Sequence, residues 1–195
     1  MERRKLGESG PEVPVVGLGT WQVLDVRGRE EEQSRHEVVR AALEEGANLF
    51  DSSPDSSPMY GEAERVLGDA LRQHGRDNAT VATKGWTSND REAERQIEDS
   101  VGYFTIAQGG VLEDPTISQI AERVGRTPAQ VVLRWHIQRS DIVFPKSVTP
   151  SRMKENLELF DFELGSEGVD AVTALDRGED GRTGPHPDKF DHVPN

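Results

Sequence analysis

A group of side chains that could bind an anion follows a short apolar run in the last third of the chain. Lys146, Ser147 and Thr149 come directly after this run, and Pro150 begins a helical pattern. Backbone N–H groups at the start of a helix, together with a lysine, form a natural site for a phosphate group. The planar guanidinium of Arg152, further along the same segment, could bind a second phosphate. The same residues also fit an ordinary strand-to-helix turn with solvated charges, and their spacing leaves both interpretations open.

A second set of residues, Asp55, Tyr60 and Lys84, could carry out acid–base chemistry. Tyr60 lies between a predicted strand and a predicted helix, and Lys84 directly follows the next predicted strand. In a parallel sheet both residues belong to the carboxyl ends of the strands, where such folds bind ligands. A lysine beside a tyrosine lowers the pKa of the phenol, and a carboxylate keeps the lysine charged. Such a tyrosine could act as general acid toward a carbonyl oxygen, although two surface residues and a turn carboxylate would give the same pattern.

The elements that must position these residues alternate through the first half of the chain. Short apolar runs predict strands at 13–18, 47–50 and 80–83. Helical periodicity predicts helices at 37–45, from 63 to a stop at Gly75, and at 90–100, whereas the polar segment 28–34 is predicted to be a loop. This order is typical of parallel, right-handed βαβ units.

The second half is richer in helices. We predict helices at 116–124, 150–156 and 166–175, and a further helix that starts at Thr127 with a capping box completed by Gln130. Strands are predicted at 141–145 and, less regularly, at 101–106, and the tail from 177 onward is expected to lie loosely on the surface. A closed eight-stranded barrel takes roughly 250 residues. A chain of 195 residues falls short of that length, and the shortage falls between 104 and 110.

Composition excludes several classes of function. The chain has 36 acidic and 23 basic residues and a formal net charge of −13, which argues against nucleic acid or an anionic membrane as a partner. It has no cysteine, so disulfides, thiolate metal sites and a cysteine nucleophile are excluded. The histidines lack metal-ligand spacing, and we expect no metal site. With no apolar run of membrane-spanning or signal-peptide length, we expect a soluble, cytoplasmic protein.

Several separated motifs resemble those of the aldo-keto reductase family and occur in the same order. The resemblance covers 5–100 and 107–192, and 109–115 and 125–130 are similar to the subgroup of the diketogluconate reductases. The motifs that carry it are GLGTW at 17–21, FD at 50–51, YGE at 60–62, ATK at 82–84 and FPKSVTPSRMKEN at 144–156.

The resemblance implies a single domain over 1–195 with a partial (β/α)8 barrel. Residues 1–100 resemble the first three barrel units, and 101–195 resemble the last two units and the tail, so about three central units are missing from the eight of a full barrel. Closure of a barrel depends on strand number, and an open sheet leaves unpaired edges. Self-association that completes a barrel between two chains is therefore a further expectation.

The resemblance also implies hydride transfer from NADPH to an aldehyde or ketone. By position, Tyr60 would be the general acid and Lys84 would lower the pKa of its phenol. The catalytic aspartate would be Asp51 or Asp55, because the sequence Asp-Ser-Ser-Pro occurs twice in succession, at 51–54 and at 55–58, and leaves both open. Trp21 would contact the substrate.

The cofactor-binding residues implied by the resemblance fall into three groups. One group would hold the adenosine 2′-phosphate, Glu155 and Asn156 would meet the adenine, and Tyr103 would stack on the nicotinamide, with Gly19 and Thr20 also at the cofactor. The phosphate group consists of Lys146, Ser147, Val148, Thr149 and Arg152. The family's catalytic histidine and its carboxamide-binding Asn and Gln have no counterpart between Lys84 and Trp135. A catalytically impaired remnant that only binds NADP(H) is therefore the alternative function.

Overall fold

The computed structural model describes residues 1–53, 61–82 and 111–181. The strands are β1 (Arg3–Lys5), β2 (Glu12–Pro14), β3 (Leu18–Gly19), β4 (Leu49–Asp51) and β5 (Thr80–Ala82). The α-helices are α1 (Arg29–Glu44), α2 (Glu62–His74), α3 (Pro115–Val124), α4 (Pro128–Gln138), α5 (Pro150–Leu157) and α6 (Ser166–Thr173).

The central sheet is parallel and contains β3, β4 and β5 in that order. Val143 extends it on the other side of β3, where its N–H donates to the carbonyl of Val15 (2.9 Å) and its carbonyl accepts from Gly17 (2.8 Å). A late segment of the chain therefore lies beside the first parallel strand, as the last strand does in a closed barrel. Among the described residues the sheet stays open, so the barrel is partial.

The predicted strand at 13–18 is divided between two sheets. Its first part belongs to β2, which pairs antiparallel with β1, and its last residue begins β3 in the parallel sheet. All residues of the run are buried, and Val15, Val16 and Leu18 belong to the larger core. The other strand predictions are confirmed at β4 and β5, with Thr83 outside the described residues. The 141–145 prediction is confirmed only as the single bridge at Val143.

The prediction of a loop over 28–34 is wrong, because α1 begins at Arg29. Its first turn carries Glu30, Glu31 and Glu32, whose carboxylates interact favourably with the helix dipole. The first two turns of α1 are polar because they lie in solvent. The apolar residues that indicate a helix begin only at Val38. The helix ends at Glu44, and Gly46 adopts a left-handed conformation (φ 81°) that turns the chain into β4.

Helix α2 confirms its prediction and packs with α1 on the larger core. Its five apolar residues are buried together: Ala63, Val66, Leu67, Ala70 and Leu71. Phe50 of β4 belongs to the same core. The two helices thus cover one face of the parallel sheet and fix the strand ends relative to each other.

Two helices of the second half begin where their capping residues predict. Asp114 accepts a hydrogen bond from the Thr116 N–H (2.8 Å) and starts α3, and the predicted capping box between Thr127 and Gln130 starts α4. Helix α6 ends at Thr173, two residues before its predicted end. The predictions at 90–100, at 101–106 and for the tail beyond 181 lie outside the described residues.

Candidate functional site

The carboxyl ends of the parallel strands bring several predicted site residues to one edge of the sheet. Gly19, Asp51 and Ala82 are aligned side by side on β3, β4 and β5. Lys146 follows the segment around Val143, which lies on the other side of β3. The predicted phosphate-binding segment and the predicted aspartate therefore share one rim, where parallel α/β folds bind ligands.

Thr20 connects the ends of β3 and β4. Its side chain is fully buried, and its hydroxyl lies 2.9 Å from Ser52 Oγ and 3.1 Å from the Asp51 carbonyl oxygen. The Thr20 N–H also donates to that carbonyl (2.9 Å), and the Ser52 N–H donates to the carbonyl of Ala82 (2.8 Å). This network fixes the backbone at the rim and holds Asp51, which is partly buried, at the last position of β4.

Lys146 crosses the end of β3 and reaches Trp21. Its ammonium nitrogen lies 4.1 Å from the centroid of the Trp21 ring, within the range of a cation–π interaction. Gly19 allows this course, because a Cβ there would lie 3.3 Å from Lys146 Cγ and 3.3 Å from the Phe144 carbonyl oxygen. The predicted cofactor residues Gly19 and Lys146 therefore adjoin the predicted substrate residue Trp21.

The turn at 147–149 leads from the sheet into α5. Ser147 Oγ lies 2.9 Å from the Thr149 carbonyl oxygen and accepts from the Thr149 N–H (3.1 Å). Thr149 is the residue before Pro150 at the helix start, and its side chain makes no capping hydrogen bond. The first N–H groups of α5 therefore lack a side-chain cap, which is the arrangement that receives an anion.

The remaining predicted residues of this segment differ in exposure. Val148 and Arg152 are exposed, Glu155 is partly buried, and Asn156 is buried. Buried Gln130 holds the end of α5, because its Nε2 donates to the carbonyls of Glu155 (2.9 Å) and Glu158 (3.1 Å). Arg152 and Asn156 are thus carried on a helix whose start and end are both fixed.

Four predicted site residues, Asp55, Tyr60, Lys84 and Tyr103, lie outside the described residues. The structure therefore leaves open which of Asp51 and Asp55 is the catalytic aspartate. Ion pairs do fix the helix that follows Tyr60 in the sequence. Glu62 pairs with Arg27 (3.3 Å) and Arg65 (2.8 Å), and Arg65 also pairs with Glu32 of α1 (2.7 Å).

The ion pairs of Arg65 shift the pKa of Arg65 itself and of Glu32. Hydrogen bonds to the carboxylates of Glu32 and Glu62 raise the pKa of Arg65. The hydrogen bond from Arg65 correspondingly lowers the pKa of Glu32 below its ordinary value. Arg65 and Glu32 therefore stay charged at neutral pH, and their ion pair holds the start of α2 against α1.

One residue at this site, Arg35, was not predicted from the sequence. Arg35 of α1 donates from Nη1 to the carbonyl oxygen of Val148 (3.0 Å), although it is 113 positions away in the sequence. It belongs to no motif and directly follows the segment for which the sequence predicts a loop. The only indication of Arg35 would have been a helix predicted to begin as early as Arg29.

The described residues contain neither a metal-ligand cluster nor a membrane-spanning helix. In the described ranges no three His, Cys, Asp or Glu side chains are grouped as metal ligands would be. No helix of that part of the chain has the length and apolar character to cross a bilayer. A cavity of about 310 Å³ lies between α3 and α6, lined by residues such as Ile120, Arg123 and Leu164, none of which was predicted as a site residue.

The sequence of this chain is similar to those of known proteins. It matches the model of the Aldo/keto reductase family over residues 15–108 and 108–177. An aldo-keto reductase of Mycolicibacterium smegmatis is 48% identical over 101 residues, which are 49% of this chain and 36% of that protein. Methylglyoxal reductase DkgA of Escherichia coli K12 is 45% identical over 90 residues, 45% of this chain and 32% of that protein. These matches span about a third of each curated relative.

Solved structures share the fold over almost the full chain. The crystal structure of MGS-M4, an aldo-keto reductase from a deep-sea metagenome library, has a TM-score of 0.74 at 19% identity and covers 98% of this chain and 100% of that one. A mutant of Gox0644 in complex with NADPH has a TM-score of 0.67 at 22% identity and covers 98% and 99%. The predicted fold class, a partial barrel of the aldo-keto reductase type, is confirmed.

Proposed function

This chain belongs to the aldo/keto reductase family, and on that premise we propose that it is an NADP(H)-dependent oxidoreductase that reduces an aldehyde or ketone to an alcohol. One observation carries the proposal: Lys146 and the 147–149 turn share a strand-end rim with Asp51 and Trp21. A dinucleotide whose phosphate lay at this turn could extend along the rim toward a substrate beside Trp21. The NADPH complex of the Gox0644 mutant, which has the same fold, is consistent with this cofactor.

The described residues fit the phosphorylated end of that cofactor. The start of α5 lacks a side-chain cap, and Arg152 lies on its exposed surface. We assign Lys146, Ser147, Val148, Thr149 and Arg152 to the 2′-phosphate. Glu155 and Asn156 would meet the adenine, Gly19 and Thr20 would line the rim beside the dinucleotide, and Tyr103 would stack on the nicotinamide.

Reduction of a carbonyl group needs a proton donor in addition to the hydride donor. Bound NADPH would supply a hydride to the carbonyl carbon, and the Tyr60 phenol would give its proton to the carbonyl oxygen, so that the carbonyl compound would become an alcohol. Lys84 would lower the pKa of that phenol, and Asp51 or Asp55 would keep the lysine charged. Because the DkgA relatives are named methylglyoxal reductases, methylglyoxal is the substrate to test first.

A second candidate function is binding of NADP(H) without efficient turnover. It is favoured by the family match, whose two stretches meet at residue 108. Near that point the family's histidine and its carboxamide-binding residues lack counterparts. Loss of a positioned acid–base group costs about 100- to 10,000-fold in rate, so this candidate predicts binding with very slow oxidation of the cofactor.

The test is a fluorescence titration with NADPH and NADH, followed by addition of methylglyoxal while the reduced cofactor is monitored. Reduction that is lost in Tyr60→Phe but kept in Arg72→Gln, an arginine on the exposed side of α2, would support the reductase. Binding without oxidation would support the binding function. Arg152→Ala should weaken NADPH far more than NADH, and equal weakening would refute the assignment of the 2′-phosphate. A chain that binds neither cofactor would refute both candidates.

A further inference from the structure

We propose that Arg35 is a positioning residue of the phosphate-binding turn and sets the preference for NADPH over NADH. The role rests on the proposed function, because it concerns the same cofactor. None of the motifs that carry the family resemblance contains Arg35, and the residue reaches the turn from α1 rather than from the segment that forms it.

The peptide unit between Val148 and Thr149 is held from both sides. Its carbonyl oxygen accepts from Arg35 Nη1 (3.0 Å), and its N–H donates to Ser147 Oγ (3.1 Å). A peptide is planar, so two such contacts fix the orientation of the whole unit. Because Thr149 immediately precedes α5, Arg35 determines how the first turn of that helix is presented to a ligand.

The charge of Arg35 supports the same assignment. Arg27, Arg40 and Arg65 each contact a carboxylate. Neither Arg35 nor Arg152 forms such an ion pair within 1–53, 61–82 and 111–181. In a chain of net charge −13, these two uncompensated cations lie on the two helices that meet at the turn. Positive charge here favours the ligand that carries the additional phosphate.

The guanidinium of Arg35 has more hydrogen-bond donors than its contact with Val148 uses. One Nη donates to Val148, while Nε is buried and has no hydrogen-bond acceptor among the described residues. A buried donor without an acceptor is costly, and an anion at the turn would lower this cost through its charge. A lysine could keep the charge and one hydrogen bond, but its ammonium could not reproduce the planar geometry.

The experiment compares Arg35→Gln, Arg35→Lys and Arg40→Gln. Arg40 is the matched control, since it lies on the same helix and pairs on the surface with Glu37 and Glu44. Fluorescence titration measures dissociation constants for NADPH and NADH. Hydrogen exchange measures protection of the 147–149 amides without cofactor.

For Arg35→Gln we expect NADPH to bind about tenfold more weakly, NADH to change less than about twofold, and the Thr149 amide to exchange faster. Arg35→Lys should restore only part of the NADPH affinity, because it keeps the charge but not the planar geometry, and Arg40→Gln should match the wild type. The proposal is overturned if Arg35→Gln behaves as Arg40→Gln does, or weakens both cofactors equally. If the wild type binds neither cofactor, the proposed function itself is refuted. Unaltered exchange of the Thr149 amide in Arg35→Gln would refute the positioning role of Arg35.

Discussion

Replacement of Gln130 by alanine should destabilise the chain and loosen α5, the helix proposed to bind the phosphate. The Gln130 side chain is buried and makes three hydrogen bonds to backbone groups. Its Oε1 accepts from the Thr127 N–H (3.1 Å), and its Nε2 donates to the carbonyls of Glu155 (2.9 Å) and Glu158 (3.1 Å). One residue thereby caps the start of α4 and anchors the end of α5.

The expected loss follows from these contacts. A hydrogen bond contributes about 1 kcal/mol net, so removal of three bonds should lower the free energy of unfolding by about 3 kcal/mol. Gln130→Glu is the matched variant, because it keeps the acceptor for Thr127 and places a second oxygen opposite two carbonyls. It should be destabilised as well, and less so at low pH, where a protonated carboxyl can again donate.

Urea unfolding followed by circular dichroism measures both variants. The reasoning would be refuted if Gln130→Ala lost less than about 1 kcal/mol, the value of a single bond. A Gln130→Glu chain as stable as the wild type at pH 7 would show that the two carbonyl contacts contribute nothing.

Two further predictions concern the rim and the helix pair. Gly17→Ala should destabilise the fold by about 3 kcal/mol or more, because its Cβ would lie 2.6 Å from the Leu49 carbonyl oxygen and 2.7 Å from the Phe144 ring. Gly19→Ala should melt closer to the wild type, because its Cβ would lie 3.3 Å from both Lys146 Cγ and the Phe144 carbonyl oxygen. Equal melting temperatures of the two variants would contradict this. Because the pKa of Glu32 is lowered from its ordinary value of 4.5, wild type should exceed Glu32→Gln in stability above that pH and lose the excess as the pH falls through the folded-state pKa. Urea midpoints at several pH values test this against Glu31→Gln, which lies in the same helical turn and should show a smaller pH-dependent difference.

The sequence predicts best those helices that begin at a side chain able to cap them. Asp114 and the pair Thr127 and Gln130 locate α3 and α4 almost to the residue, because side-chain caps act within three positions. The start of α1 is not predictable in this way, since its first two turns lie in solvent and carry no apolar stripe. The run at 13–18 predicts one strand because burial on both sides gives one continuous apolar run, which cannot show where the chain passes from one sheet to another.

The candidate site was predictable where its residues are contiguous. The segment 144–156 contains its lysine, its turn and its helix start in one stretch, so its local geometry follows from the order of residues. The contacts of Lys146 with Trp21, of Arg35 with Val148 and of Gln130 with Glu158 each join distant parts of the chain. No local pattern predicts them, because they arise only when α1 and α4 pack beside the segment.

The two ends of the proposed cofactor site depend on different parts of the chain. The phosphate end is built by contacts of Val143 with Val15 and Gly17, and of Arg35 with Val148, all of which lie within the described residues. In a barrel the first and last units are neighbours, so central units can be missing without separating these residues. The reactive end depends instead on Tyr60, Lys84 and Tyr103. Binding and turnover should therefore respond to separate substitutions, and the NADPH preference should persist in Tyr60→Phe.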